Sequence, residues 1–150
     1  MAEKMPILVV LGMDIDGKPV LNVDGYAKLT MRHDERGHRI EAAYLGVDGQ
    51  PVLLKNGYAF CTARYDERGN QIEEVYLGGD RQPVLRKEGF AKWMDKYDER
   101  GNRIERAWFG VDARPVEVNG SHRFTQTYDA TGNVLEKVCY DARGKIVPDH

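Results

Sequence analysis

Catalysis and metal binding need particular side chains close together, and this chain offers few. Its single serine, Ser121, is followed directly by His122. Neighbouring residues on a strand project to opposite faces, so these two cannot share a proton as a nucleophile and its base do. Asp14-Ile15-Asp16-Gly17 opens like a calcium loop, with Asp24 as a further oxygen donor. The glycine comes two positions early, however, and no glutamate closes the loop, so the segment reads as a solvated turn. His33, His38, His122 and His150 are scattered without zinc-ligand spacing. Glycine-rich phosphate loops are absent. The glutamates Glu41, Glu73, Glu105 and Glu136 recur at a fixed interval. A carboxylate repeated that regularly is expected to pair across strands with Arg32, Arg64 and Lys96 or with threonines, each contact contributing about 0.2–1 kcal/mol. The expectation is no catalytic residue, no metal and no cofactor, hence no enzyme.

The interval itself is the dominant signal. Tyr97-Asp98-Glu99-Arg100-Gly101-Asn102 repeats as Tyr65 to Asn70, as His33 to His38, and more loosely as Tyr128 to Asn133. Pro19-Val20, Pro51-Val52, Pro83-Val84 and Pro115-Val116 keep a step of 32 residues. Gly25, Gly57 and Gly89 follow it, and Gly120 arrives one residue early. The copies are 13–44, 45–76, 77–108 and 109–140. They are preceded by a capping segment, 1–12, and followed by a stub, 141–150. Within the cap, Ile7 to Leu11 reads as a buried strand.

Each copy has a Pro-Val arm, a long strand and a shorter return strand. On the long strand, Ala27/Ala59/Ala91, Leu29/Cys61/Trp93/Phe124 and His33/Tyr65/Tyr97/Tyr128 alternate with threonines and cations, as on a half-buried antiparallel strand. Cys61 therefore reads as a small core hydrophobe. The return strand breaks strict alternation. A β-bulge near Glu73-Glu74 would restore one face for Ile72, Val75 and Leu77, and a single helical turn is the rival. Burial favours a four-residue Asp-Glu-Arg-Gly loop that sets Ala63 opposite Ile72. Its glycine is the same in every copy, whereas the turn before Pro-Val has Gly17, Gly49, Arg81 and Ala113. The first turn is expected to need positive φ and the second not. The fold class is all-β: tandem antiparallel hairpins stacked into an elongated, twisted array. A closed ring of four blades is the alternative.

Composition bounds the partners. Of 150 residues, 41% are hydrophobic and 31% charged, with a net charge of −2 and both signs interspersed. No basic stripe marks a nucleic-acid partner. The apolar run Ile7 to Leu11 is too short for a signal peptide or a membrane span. Two isolated cysteines, Cys61 and Cys139, form no disulfide framework and fit a reducing compartment such as the cytoplasm.

The segment Gly89 to Ile104, with its Tyr-Asp-x-x-Gly-Asn core, resembles the tyrosine-aspartate (YD) repeats of the Rhs and teneurin families. The unit here is longer, and the Pro-Val arm lies outside their pattern. A looser similarity runs to cell-wall and glucan-binding repeats, which carry more tryptophan and glycine. Either resemblance implies a β-hairpin spiral that acts as scaffold, shell or ligand binder. With the bulge at Glu73-Glu74, Tyr44, Tyr76 and Trp108 fall on the outward face, as do Tyr26, Tyr58 and Phe90. These six are the candidate binding residues. They either form a stacking platform for sugars or a partner, or pack on the next repeat. Beside them lie the variable Asn22, Lys55, Arg86 and Glu117. The functional expectation is a non-enzymatic scaffold for protein interaction or self-assembly, with a carbohydrate-binding module as the alternative.

Overall fold

The computed structural model describes residues 7–149. Met1 to Pro6 of the cap and His150 of the stub lie outside the described residues. Ten strands form one antiparallel sheet in strict chain order. They are β1 (Ile7–Leu11), β2 (Lys28–His33), β3 (Arg39–Leu45), β4 (Phe60–Tyr65), β5 (Gln71–Leu77), β6 (Lys92–Tyr97), β7 (Arg103–Phe109), β8 (Arg123–Tyr128), β9 (Val134–Tyr140) and β10 (Ile146–Val147). The first and last strands do not pair, so the sheet is open and the closed ring is excluded. The return segment is a strand throughout, never a helical turn.

A single turn design recurs along the chain. In Asp66 to Asn70, Asp66 N–H donates to the Asn70 carbonyl and Gly69 N–H to the Asp66 carbonyl. Gly69 sits at φ +88°. This is a three-residue loop, a type I turn closed by a left-handed residue. The Asp66 carboxylate accepts the N–H groups of Arg68 and Asn70, which stops the loop from opening. At the equivalent Asp129, the Asn133 N–H and then the Thr131 hydroxyl hold the carboxyl down to about 2.

The four-residue loop is therefore corrected to three, and the bulge to Ile72. Tyr65 faces Gln71 and Arg64 faces Glu73, leaving Ile72 unpaired between them. A one-residue move of the bulge flips every later side chain to the other face. Tyr76 thus joins Cys61 and Trp93 on the core side, while Val75 and Leu77 turn away. The glutamate column is where it was expected. Arg32, Arg64 and Lys96 face Glu41, Glu73 and Glu105 across the hairpins, with N–O distances of 3.5, 3.5 and 3.2 Å.

The turn before Pro-Val uses the same three-residue design, contrary to expectation. Gly17, Gly49, Arg81 and Ala113 all have positive φ, at 77, 80, 64 and 65°. Arg81 offsets its strain with contacts to Glu41 Oε1 at 2.8 Å and to the Phe60 ring at 4.3 Å. We expect Ala113→Gly to stabilise the chain by about 0.5–1 kcal/mol, left-handed strain relieved less the extra unfolded-state entropy. Arg81→Gly should give no gain, because those contacts go with it. Urea unfolding midpoints of the two variants check both. The deletion in the fourth copy is absorbed in its second arm turn. Asn119 and Gly120, at φ 53 and 86°, close a two-residue type I′ turn between Val118 and Ser121.

Adjacent hairpins are held by the motif residues. The hydroxyls of Tyr65 and Tyr97 donate to the Arg39 and Gln71 carbonyls of the preceding copy, both at 2.8 Å, and Tyr128 does the same to Arg103. In the forward direction, the Arg36, Arg68 and Arg100 guanidiniums donate to the Glu67, Glu99 and Ala130 carbonyls of the next turn. Tyr-Asp-Glu-Arg-Gly thus closes its own hairpin and fastens it to both neighbours. On β1, Val9 and Leu11 are 46 and 52% exposed rather than buried, because β1 is an edge strand paired only with β2.

Candidate functional site

The core is a ladder of rings. After each return strand, the Pro-Val arm folds back, with Val52 and Val84 N–H groups donating to the Tyr44 and Tyr76 carbonyls. The arm then turns and delivers Tyr58 or Phe90 onto the sheet. Tyr26, Tyr44, Tyr58, Tyr76, Phe90, Trp108 and Phe124 follow one another in contact, with centroid separations from 4.8 to 6.5 Å. Most contacts are edge-on or tilted, the arrangement that aromatic quadrupoles favour. The six rings expected on an outward face are thus interior or half-buried: Tyr58, Tyr76 and Phe90 are buried, and Tyr26, Tyr44 and Trp108 are partly covered. The displaced bulge is the reason for Tyr44, Tyr76 and Trp108, whereas Tyr26, Tyr58 and Phe90 precede their strands and are turned inward by the arm. Tyr26, Tyr44 and Tyr58 still line a cleft of about 190 Å³ with Asp24, Lys55 and Asn56.

The variable set does not form one surface. Arg86 lies over the rings of Tyr58, Tyr76 and Phe90. Asn22 caps its own turn, Glu117 accepts the Ala142 N–H, and Lys55 is exposed.

Two columns that alternation alone passes over carry the polar chemistry. One is Met31, Ala63, Asp95 and Gln126; the other is Ala42, Glu74, Arg106 and Lys137. Each pair faces across a hairpin on the ladder side. Their signal was a change from apolar to ionic along a column whose neighbours stay constant. Glu74 accepts from Arg39 Nη2 at 2.9 Å, the Tyr76 hydroxyl at 2.6 Å and Trp93 Nε1 at 3.2 Å. Trp93 Nε1 also donates to the Tyr76 hydroxyl at 3.1 Å. Burial, with the Glu74 carboxylate adding to it, raises the Tyr76 phenol above its ordinary range. Asp95, its side chain 1% exposed, receives Arg106 Nε and Nη2 at 2.7 and 2.8 Å, and Arg106 stacks on Trp93 at 4.3 Å.

The thiols sit beside this network. Cys61 is 3% exposed, and burial, reinforced by Glu74, pushes its thiol up to about 11, so it stays protonated at neutral pH. Cys139 is likewise buried and raised. Ser121 and His122 are buried too, and His122 Nδ1 lies 2.8 Å from the Trp108 carbonyl oxygen. No helix among the described residues is long and apolar enough to cross a membrane. Fold and site together define a repeat-like, all-β array of antiparallel hairpins on an aromatic spine. No family model matches this chain, and neither does any curated protein.

Proposed function

We propose that this chain is a non-enzymatic repeat scaffold for protein interaction or self-assembly, acting alone or as a segment of a larger protein. The outer edge of β1 carries this reading. Among the described residues nothing pairs with that edge, and apolar side chains on it and in the arm that follows it are exposed: Val9, Leu11, Met13, Ile15, Leu21 and Val23. An unprotected apolar edge strand is a template for another strand. A two-fold pair of β1 strands centred on Val9 sets Leu8 opposite Val10 and Ile7 opposite Leu11, with every partner apolar. At the far end, the stretch of β9 that β10 leaves uncovered, Glu136 to Val138, sets Lys137 against itself in the same geometry, and like charges directly opposite repel.

Light scattering over a concentration series is expected to show a monomer–dimer equilibrium that Val9→Lys abolishes. A strict monomer at high concentration, together with an empty pull-down from host extract, sinks the scaffold reading. The Tyr26–Tyr44–Tyr58 cleft favours a second reading, a carbohydrate-binding module, because phenols packed edge to face beside an aspartate and an amide offer a sugar both a ring face and polar partners. A blank glycan array removes it.

A further inference from the structure

The ladder is broken at one place, and a cleft forms there. Tyr58 wedges between Tyr44 and Tyr76, and Phe90 between Tyr76 and Trp108. The corresponding residue of the fourth copy is Ser121, delivered by the shortened Asn119-Gly120 turn. Trp108 and Phe124 therefore meet directly at 5.8 Å, and a cleft of about 290 Å³ opens beside them.

Cations border this cleft. Arg103 Cζ lies 5.4 Å and Lys137 Nζ 4.7 Å from the Phe124 ring centroid, and Arg106 completes the set. Arg106 is committed to Asp95. Arg103 reaches the same carboxylate only at Nη1, 3.8 Å from Asp95 Oδ2, and its buried Nε is a donor with no acceptor among the described residues. Lys137 is met by Asp149, Nζ to Oδ1 at 3.0 Å, and the Cys139 thiol lies 3.7 Å from the same oxygen. Asp149 is no stray residue. Ile146 and Val147 pair with Tyr140 and Cys139 as the start of a fifth arm. Counting along that arm, Asp149 takes the position of Leu54, Arg86 and Val118. Three cations thus face two carboxylates, over an aromatic floor, with an extended segment of the chain itself already seated through Asp149.

We propose that this cleft binds an aspartate or glutamate carboxylate on an extended acidic peptide of a partner protein, and that Asp149 is the internal stand-in which the partner displaces. The occupant already in place sets the class: an extended segment paired along the end of β9, whose carboxylate meets Lys137 in a cleft lined by Trp108, Phe124 and Arg103. Guanidinium and ammonium groups beside aromatic faces suit such a group. Tethering gives Asp149 a high effective concentration, so an incoming carboxylate binds weakly until Asp149 is removed. The proposal gives the interaction reading a second, separate surface. The cleft does not involve β1, so a failed titration here leaves self-association untouched, and a monomeric chain leaves this titration untouched.

The probe is a blocked pentapeptide copying residues 146–150, titrated calorimetrically onto the full chain and onto its Asp149→Asn variant. Asp149→Asn is expected to bind it about tenfold more tightly than the unaltered chain. Replacing the peptide's aspartate with asparagine should remove most of that gain, as should adding Lys137→Gln or Ser121→Phe to the Asp149→Asn chain. Thermal melts of each variant establish that the fold is retained. Equal affinity of both chains for the peptide, equal affinity for its Asp and Asn forms, or no binding to a folded Asp149→Asn chain each overturns the proposal.

Discussion

Tyr76→Ala is expected to lower the stability of the chain by about 3–5 kcal/mol, a large share of what a domain of this size has in hand. Tyr76 is 2% exposed and is the middle rung of the ladder, touching Tyr58 on one side and Phe90 on the other. Truncation opens a cavity between two copies that the sheet backbone cannot collapse, because the strands on either side are held by their ladders. It also strips Glu74 of one donor and Trp93 of one acceptor. Tyr76→Phe separates the two contributions. It keeps the ring and loses only the hydroxyl, so it should cost about 1 kcal/mol. Urea unfolding followed by tryptophan fluorescence measures both. A Tyr76→Ala loss below about 1 kcal/mol would mean the ladder is not the core.

The second large effect is at Asp95. Asp95→Ala should cost about 2–3 kcal/mol, because it strips the half-buried Arg106 of both its charge-assisted hydrogen bonds. The repeat supplies its own control. In the first copy Met31 faces Ala42, and in the third Asp95 faces Arg106 at the same cross-strand position. The double variant Asp95→Met/Arg106→Ala copies that apolar pair and should return close to the stability of the unaltered chain, since a well-packed apolar pair commonly matches a buried ion pair. A double variant as unstable as Asp95→Ala alone would show that the ion pair contributes something the first copy does without. Stability restored together with weaker binding of the acidic pentapeptide would tie the pair to the neighbouring cleft.

The repeat made much of this molecule readable. The glutamate column, the antiparallel hairpins and the left-handed glycines of the Asp-Glu-Arg-Gly turns follow from short-range chemistry, and the structure has them. The faces of the return strand were lost through one residue. Placing the bulge at Glu73-Glu74 rather than Ile72 sends Tyr76 outward on paper, whereas the actual register buries it. Periodicity cannot locate a bulge to a single residue, and a strand with period two converts that small error into a change of face. The second turn departs from expectation because Arg81 and Ala113 stand where a left-handed residue would ordinarily be glycine. Their left-handed conformation is imposed by the strands the turn joins, at a cost that composition does not reveal.

By itself the sequence determined what is local and repeated: the hairpin unit, its turn chemistry, the cross-strand charge pairs and the interruption of the period at Asn119-Gly120-Ser121. Only the tertiary structure decided which side of the sheet the arms cover. That choice turns six supposedly outward aromatics into a core, fastens each hairpin to the next through Tyr-Asp-Glu-Arg-Gly, and gathers Arg103, Arg106, Lys137 and Asp149 around a missing rung. The physical reason is that a strand's faces are equivalent until something packs on one of them. What packs here is an arm that crosses over from its own return strand onto the next hairpin, and no spacing within a single copy encodes that crossing.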